Sequence, residues 1–201
     1  MTDDEIKAEW LRCDVTPSYF LDNYVQVYDA TLRGWIPFKL WPAQFEVLDT
    51  LLNNRLVIIL KARQLGLSWL VLGYILWVML FRPAATALCF SRRDDEAINL
   101  VDDRLKGMYT RLPAWMKAAR VVEDNAHEFQ LSNGSTARAF PTTGGDSYTA
   151  TVALVDEADL VPDLGKLMTR VKPTIDAGGQ LILLSRSDKS RPESEFKQIY
   201  R

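Results

Sequence analysis

Residues 64–81 run for eighteen positions without a charge, and the stretch Trp69-Leu-Val-Leu-Gly-Tyr-Ile-Leu-Trp-Val-Met-Leu-Phe81 is apolar throughout. Such a segment has to be hidden from water, in a bilayer or inside a fold. Its fully apolar part is 13 residues long, short of the ~20 that cross a bilayer as a helix. A second apolar run, Leu56-Val-Ile-Ile-Leu60, lies just before it, with a polar, glycine-containing turn between. Together they read as a strand buried on both faces followed by a helix buried under a sheet, not as a membrane span.

The rest of the chain follows the same rhythm. Thr16-Pro17 looks like a helix start, with Phe20, Tyr24, Val27 and Tyr28 recurring at helical spacing until Gly34-Trp-Ile-Pro37 breaks the helix. A helix from Pro42 places Phe45, Leu48, Leu51 and Leu52 on one face and stops at Asn53-Asn54. Ala85-Thr-Ala-Leu-Cys-Phe90 is a second strand. Ile98, Val101, Leu105, Met108 and Leu112 then mark an amphipathic helix, with Asp94, Asp95 and Glu96 in its first turn, where the helix dipole favours acids. Residues 128–131 and 135–140, joined by Asn133-Gly134, read as a hairpin. Thr151-Val-Ala-Leu-Val155 and Gln180-Leu-Ile-Leu-Leu184 are further buried strands, with a short helix over 163–172 between them. Strand–helix alternation of this kind predicts a three-layer α/β fold with a mostly parallel central sheet.

Composition narrows the function classes. In 201 residues, 24 Lys and Arg face 26 Asp and Glu, giving a net charge of −2, which excludes a polybasic nucleic-acid binder while leaving room for a local basic face. Cys13 and Cys89 are no disulfide framework and no zinc site. The single histidine, His127, is expected on the surface or in the hairpin, and it makes a histidine-based triad a poor candidate. The acidic start Met1-Thr-Asp-Asp-Glu5 is unlike a secretory leader.

The most informative segment is Lys61-Ala62-Arg63-Gln64-Leu65-Gly66-Leu67-Ser68, between the first buried strand and the apolar helix. In that context backbone N–H groups of a turn and a helix N-terminus point at anionic oxygens. The strict phosphate-loop pattern fails: Lys61 stands where the first glycine belongs and Leu67 where the lysine belongs. A phosphate loop still needs a cation, and either Lys61 or Arg63 could supply it, with Ser68 offering its hydroxyl to Mg²⁺. The same residues also suit a plain basic turn. The second segment, Val152-Ala-Leu-Val-Asp-Glu157, favours the loop. An acid pair at the C-terminal end of a buried strand is where open α/β sheets place their chemistry. Asp156 would hold Mg²⁺ and Glu157 would orient and deprotonate an attacking water. A third strand ends in Ser185, placed to sense a terminal phosphate. The amide of Gln44, just upstream in Pro42-Ala-Gln44, has the donor and acceptor needed to pair with adenine.

In this order the pieces resemble the ATPase domain of the tailed-phage terminase large subunit, a DNA-packaging motor. The resemblance covers roughly residues 41–187 and rests on Pro42-Ala-Gln44, Ala62-Arg-Gln-Leu-Gly-Leu-Ser68, Ser91-Arg-Arg93 with the following Glu96-Ala97, Val155-Asp-Glu-Ala-Asp159, and the strand ending in Ser185. It implies a P-loop NTPase fold of the ASCE, RecA-like kind, residues 1–40 being a helical extension or lid and residues 41–201 the ATPase domain. It implies ATP and Mg²⁺ as cofactors. Residues 61–68 would bind nucleotide, with Lys61 and Ser68 in the phosphate-loop roles and Arg63 contacting the γ-phosphate in cis. Asp156 and Ser68 would hold Mg²⁺, Glu157 would be the catalytic glutamate, Gln44 would read adenine and Ser185 would couple hydrolysis to motion. The implied partners are double-stranded DNA, other copies of the chain in a ring, a portal protein and a small terminase subunit, in the cytoplasm of the host cell and with no membrane.

Two departures stand out. Many terminases carry an Arg-Gly ahead of the acidic strand as an arginine finger in trans, whereas here Gly144-Gly-Asp-Ser-Tyr-Thr-Ala150 has no arginine, leaving Arg138 and Arg170 as substitutes. The family's nuclease domain is not expected within these 201 residues, so no nuclease activity is expected of them. A helicase-type ATPase fragment is a rival reading, since the Asp-Glu-Ala-Asp string occurs in helicases too, and a non-hydrolysing assembly module is another. Arg92 with Arg93, and Arg186, Lys189 and Arg191, are the basic clusters available to DNA phosphates. Trp10, Tyr19, Phe20, Tyr24, Tyr28 and Trp35 are expected to pack as core or lid.

Overall fold

A computed structural model describes residues 1–144 and 148–201. The chain opens with α1 (Asp3–Val15) and α2 (Pro17–Tyr24), then a hairpin of β1 (Gln26–Asp29) and β2 (Gly34–Pro37). Helix α1 has no clear apolar stripe in the sequence and escapes a periodicity reading. Its start is fixed by a capping box in which Thr2 and Glu5 satisfy each other's backbone N–H. The expected continuation of α2 through Val27 and Tyr28 is wrong. The helix stops at Tyr24, and Val27 and Tyr28 pair with Ile36 and Trp35 across the hairpin. Alternating apolar residues ahead of a turn satisfy either period over so short a window.

Helix α3 (Pro42–Asn53) leads to β3 (Leu56–Leu60), and a turn leads on to α4 (Leu67–Phe81) and β4 (Thr86–Ser91). On α3 the buried face is Gln44, Leu48 and Leu51, while Phe45 and Leu52 are exposed, against expectation. Residues 94–110 are not one α-helix. They comprise α5 (Asp94–Ile98), a π-helical segment Asn99–Leu105 and α6 (Lys106–Thr110). The sheet continues with β5 (Val121–Asp124), β6 (Glu128–Leu131), β7 (Thr136–Pro141) and β8 (Val152–Asp156). Helix α7 (Leu164–Asp176), longer than expected and containing Pro173, β9 (Gln180–Ser185) and α8 (Glu195–Tyr200) complete the described chain.

Seven strands form one sheet in the order β3-β9-β8-β4-β7-β6-β5. The first five are parallel, and β6 and β5 are antiparallel additions. Side chains alternate between two cores, as a period of two requires. Val57, Ile59, Ala87, Cys89, Val152, Leu154, Ile182 and Leu184 face α4 and the N-terminal helices, and Leu88, Phe90, Ala153, Val155, Leu181 and Leu183 face α7 and α8. Strand β3 is not buried on both faces as expected. It pairs only with β9, and Leu56 and Leu60 are exposed. An aliphatic run cannot by itself distinguish a central strand from an edge.

The apolar helix is explained by its position between the sheet and α1, α2 and α3. Every residue of α4 except Trp69 is buried. Gly73 permits the approach of α2, since a Cβ there would lie 2.6 Å from Leu21 Cδ2. Trp77 Nε1 donates to the carbonyl of Cys13 at 2.9 Å. Trp10 and Phe20 pack on Phe81, and Tyr24 on Trp115, so these N-terminal aromatics are core. Among the described residues no helix is long and apolar enough to cross a membrane. Both cysteines are free and buried, and burial pushes their thiols up to about 12.

Candidate active site

Parallel pairing brings the loop after β3 and the acids after β8 to the same end of the sheet, with the end of β9 between them. The loop is a tight turn in which Gln64 (φ 64°) and Gly66 (φ 68°) both take the left-handed conformation. Glycine suits Gly66 doubly, because a Cβ there would also lie 2.9 Å from Gln44 Nε2. Gly66 caps the N-terminus of the 15-residue α4 without a side-chain partner, so the first N–H groups of that helix face the loop's cavity.

Lys61, Ser68 and Asp156 meet here. Lys61 Nζ lies 2.8 Å from Ser68 Oγ and 3.5 Å from Asp156 Oδ1, and Ser68 Oγ is 3.1 Å from Asp156 Oδ2. Ser68 and Asp156 are buried, and the Lys61–Asp156 pair is nearly so. Removing two charges from water is costly unless they are paired, and here each is the other's partner. The Lys61 ammonium bridges the two oxygen donors as a cation would. Ser68 and Asp156 therefore suit a hard, oxygen-seeking ion such as Mg²⁺ in ligand type and in spacing. Among the described residues no group of three His, Cys, Asp or Glu could hold a metal unaided, so such an ion would need further oxygens from a bound phosphate.

Glu157 follows in a left-handed conformation (φ 54°), a strained one for a non-glycine residue. The turn throws its side chain towards Arg186, whose Nε lies 3.5 Å from Glu157 Oε2. Glu157 and Asp156 line a cavity of about 390 Å³ with Ser91, Asp95, Glu96, Asn99, Leu100 and Arg104. A second cavity, about 210 Å³, is lined by Lys61, Gln64, Leu65, Gly66, Leu67, Ser68, Trp69 and Arg104. A third, about 540 Å³, lies between the β1–β2 hairpin, the start of α3 and the loop, with Gln44, Gly66 and Trp69 in its wall.

The other sequence candidates fall as follows. Gln44 is buried, its amide oxygen accepts from the Trp41 N–H at 3.0 Å and its amide nitrogen donates to the Leu65 carbonyl at 2.9 Å. Both ends of the amide are thus used inside the chain, bracing the loop. Ser185 is fully buried. Its hydroxyl accepts from the Asp159 N–H at 3.0 Å and donates to the Arg186 carbonyl at 2.9 Å, tying the end of β9 to the turn after Glu157. Ala62 and Arg63 are exposed.

Arg138 pairs with Glu128 at 2.6 Å, and Arg170 donates to the carbonyls of Thr142 and Thr143, so both substitutes for a trans finger are engaged within the chain. The stretch 144–150 that lacks the expected arginine includes residues 145–147, which lie outside the described residues. Of the basic clusters, Arg92 and Arg93 pair with Glu96, and Arg191 donates to the carbonyls of Asp159 and Val161. His127 is exposed and sits 2.9 Å from Asp94. Two residues near the site were given no role by the sequence: Asp159, the last acid of the Asp-Glu-Ala-Asp string, and Arg104, which belongs to no motif. Asp159 is buried under α8, bound by Ser194, the Asp188 N–H and Lys197. Arg104 borders both smaller cavities.

A mostly parallel sheet flanked by helices, with a tight turn after an edge strand and an acid pair at the end of a central one, gives an α/β fold of the RecA-like kind. Among solved structures it is similar to the ATPase domain of the large terminase of Thermus phage P74-26, with a TM-score of 0.67 at 16% identity over 81% of this chain and 70% of that one. It is also similar to the large terminase of bacteriophage HK97, with a TM-score of 0.72 at 15% identity over 93% of this chain and 40% of that one. A third likeness is the large terminase of a thermophilic bacteriophage in complex with ATP-gamma-S, with a TM-score of 0.53 at 12% identity over 72% of this chain and 37% of that one. The chain has the fold of these ATPase domains. No protein-family model and no curated relative matches the sequence.

Proposed function

We propose that the chain is an ATP-hydrolysing motor domain of the large-terminase type, driving double-stranded DNA into a procapsid. The observation that carries this reading is the contact of Lys61, Ser68 and Asp156 at the N-terminus of α4. The ATP-gamma-S complex among the similar structures supports a nucleotide as the ligand.

The triphosphate would lie along the loop 61–68, its oxygens accepting from the N–H groups at the start of α4. Lys61 would move from Asp156 to the β- and γ-phosphates. Ser68 and Asp156 would hold Mg²⁺, which supplies charge neutralisation on the phosphates. Arg63, exposed at the loop, would turn in to the γ-phosphate. Glu157, released from Arg186, would orient the attacking water and accept its proton. The base would enter the cavity under the β1–β2 hairpin, where adenine reading by Gln44 requires exchanging its bond to Leu65 for one to the base. Ser185 would pass the change at Glu157 to β9 and the segment beyond it.

On this reading the larger setting would be residues 1–40 as a lid on an ATPase domain of residues 41–201, a ring of copies acting on double-stranded DNA, and portal and small-subunit partners in the host cytoplasm. The test is a Mg²⁺-ATP titration with a fluorescent analogue, alongside turnover in the presence of DNA. Glu157→Gln should keep binding and lose turnover, while Lys61→Ala should weaken binding at least about tenfold, the value of a charge-assisted contact. Nucleotide affinity indifferent to Lys61→Ala would refute the site.

A further inference from the structure

The π-helical segment Asn99–Leu105 interrupts an otherwise α-helical run over 94–110. Such insertions change which side chains face a neighbour and are frequent at functional sites. Here Arg104 projects to the border between two cavities. One is walled by the loop residues Lys61 to Trp69, the other by Asp156 and Glu157. Its guanidinium carbon lies 5.4 Å from the centre of the Trp69 ring, one residue beyond Ser68. That stacking fixes the side chain without using any of its N–H donors.

The charges around it are already matched. The second cavity is lined by four carboxylates, Asp95, Glu96, Asp156 and Glu157. Asp156 has Lys61 at 3.5 Å and Glu157 has Arg186 at 3.5 Å. Glu96 has Arg92 and Arg93, each at 3.1 Å, and Asp95 has Arg93 at 3.3 Å. Among the described residues Arg104 makes no hydrogen bond and no ion pair. A guanidinium that is stacked in place, half-buried and free of carboxylate partners beside four of them has its planar fork of donors available for an anion between the two cavities.

We propose that Arg104 contacts the terminal phosphate of the bound nucleoside triphosphate in cis, delivered by the π-helical segment across from the phosphate loop. The assignment rests on the nucleotide reading of the site and adds to Arg63 of the loop a second guanidinium, delivered from outside it. Because Arg104 would touch the phosphate that ATP has and ADP lacks, the site would discriminate triphosphate from diphosphate through it. The position also links occupancy to the hairpin, since Trp69 meets Trp35 of β2 edge to face, with ring centres 5.6 Å apart.

The test compares the affinities of the 201-residue chain for ATP-gamma-S and for ADP, with Mg²⁺, in Arg104→Ala and Arg104→Lys, with thermal unfolding of each variant as the control for folding. Arg104→Ala should weaken ATP-gamma-S binding about tenfold or more and leave ADP binding unchanged. Arg104→Lys should recover part of the loss, since it keeps the charge and not the fork. If Arg104→Ala does not fold, Arg104→Gln takes its place in the comparison. Equal weakening of both nucleotides, or no change in either, overturns the assignment while leaving the site reading intact. An unaltered chain that binds neither nucleotide overturns the site reading, and this assignment with it.

Discussion

Asp159 shows how far a residue's role depends on what surrounds it. It belongs to the same acidic string as Asp156 and Glu157, yet it takes no part in the cavity they line. Burial alone would push its carboxyl up. The Ser194 hydroxyl, the Asp188 N–H and the Lys197 ammonium outweigh burial and hold it below the usual carboxylate range. Its folded value is therefore below its unfolded value of about 3.9. The stabilisation it gives is complete above the unfolded value and is lost as pH falls through the folded one. Asp159→Asn should cost about 3 kcal/mol at neutral pH, as breaking a buried charged pair does. The difference should shrink in acid, and urea unfolding at pH 7 and pH 3 measures it. A cost that does not vary with pH would contradict the role given to the charge. At this scale the sequence singled out Lys61, Ser68, Asp156 and Glu157 as candidates by residue type and spacing around a strand–turn–helix, and the structure brings the first three into contact. Arg104 and the self-satisfied amide of Gln44 were not legible, because each depends on a neighbour distant in sequence, Trp69 for one and Leu65 for the other.

Among the elements, the β1–β2 hairpin is the one most dependent on tertiary contact. Trp35 fixes it: the ring packs edge to face on Trp69, Arg111 lies over it with its guanidinium carbon 3.8 Å from the centre, and Gly107 of α6 leaves room for its edge. A Cβ at Gly107 would come within 2.3 Å of Trp35 Cη2. Gly107→Ala would ordinarily gain about 1 kcal/mol of helix propensity. Here it should instead destabilise by about 1–3 kcal/mol through overpacking. In a Trp35→Ala background the same change should become neutral or stabilising, and a double-mutant cycle by chemical denaturation reads the reversal. If Gly107→Ala is neutral with Trp35 present, the hairpin is not anchored as described. The sequence offered helical spacing through Val27 and Tyr28 and one amphipathic helix from Asp94 to Leu112, and the structure replaced both. Periodicity over two turns does not fix a hairpin, and the π-helical segment Asn99–Leu105 carries apolar residues at spacings that also suit an α-helix.

Across the whole molecule, the sheet order decides what the loops can do together. Lys61 follows β3 and Asp156 ends β8, and the two strands are separated by β9 alone. The Lys61 N–H donates to the Ser185 carbonyl at 2.8 Å, locking the loop to that middle strand. A ligand held by β3, β8 and the start of α4 at once is lost on unfolding, so it stabilises the entire chain. Mg²⁺-ATP at a hundredfold excess over its dissociation constant should add about 2.7 kcal/mol. For a domain of this size that raises Tm by roughly 5–10 °C. Ser68→Ala should reduce the shift at the same ligand concentration. A Tm unmoved by Mg²⁺-ATP up to millimolar concentrations would count against the nucleotide site.

The sequence alone determined the layered α/β class, the strands that lead to Lys61, Asp156 and Ser185, and the residue types at that end of the sheet. These follow from local hydrophobic period and from the turn and acid residues that stand directly after the apolar runs. Only the tertiary structure decided that β3 lies at the edge, that the first helices cover α4, and that Arg104 stands across from the loop. Each of these is set by which apolar surfaces meet, a competition among contacts far apart in the chain that no local window records.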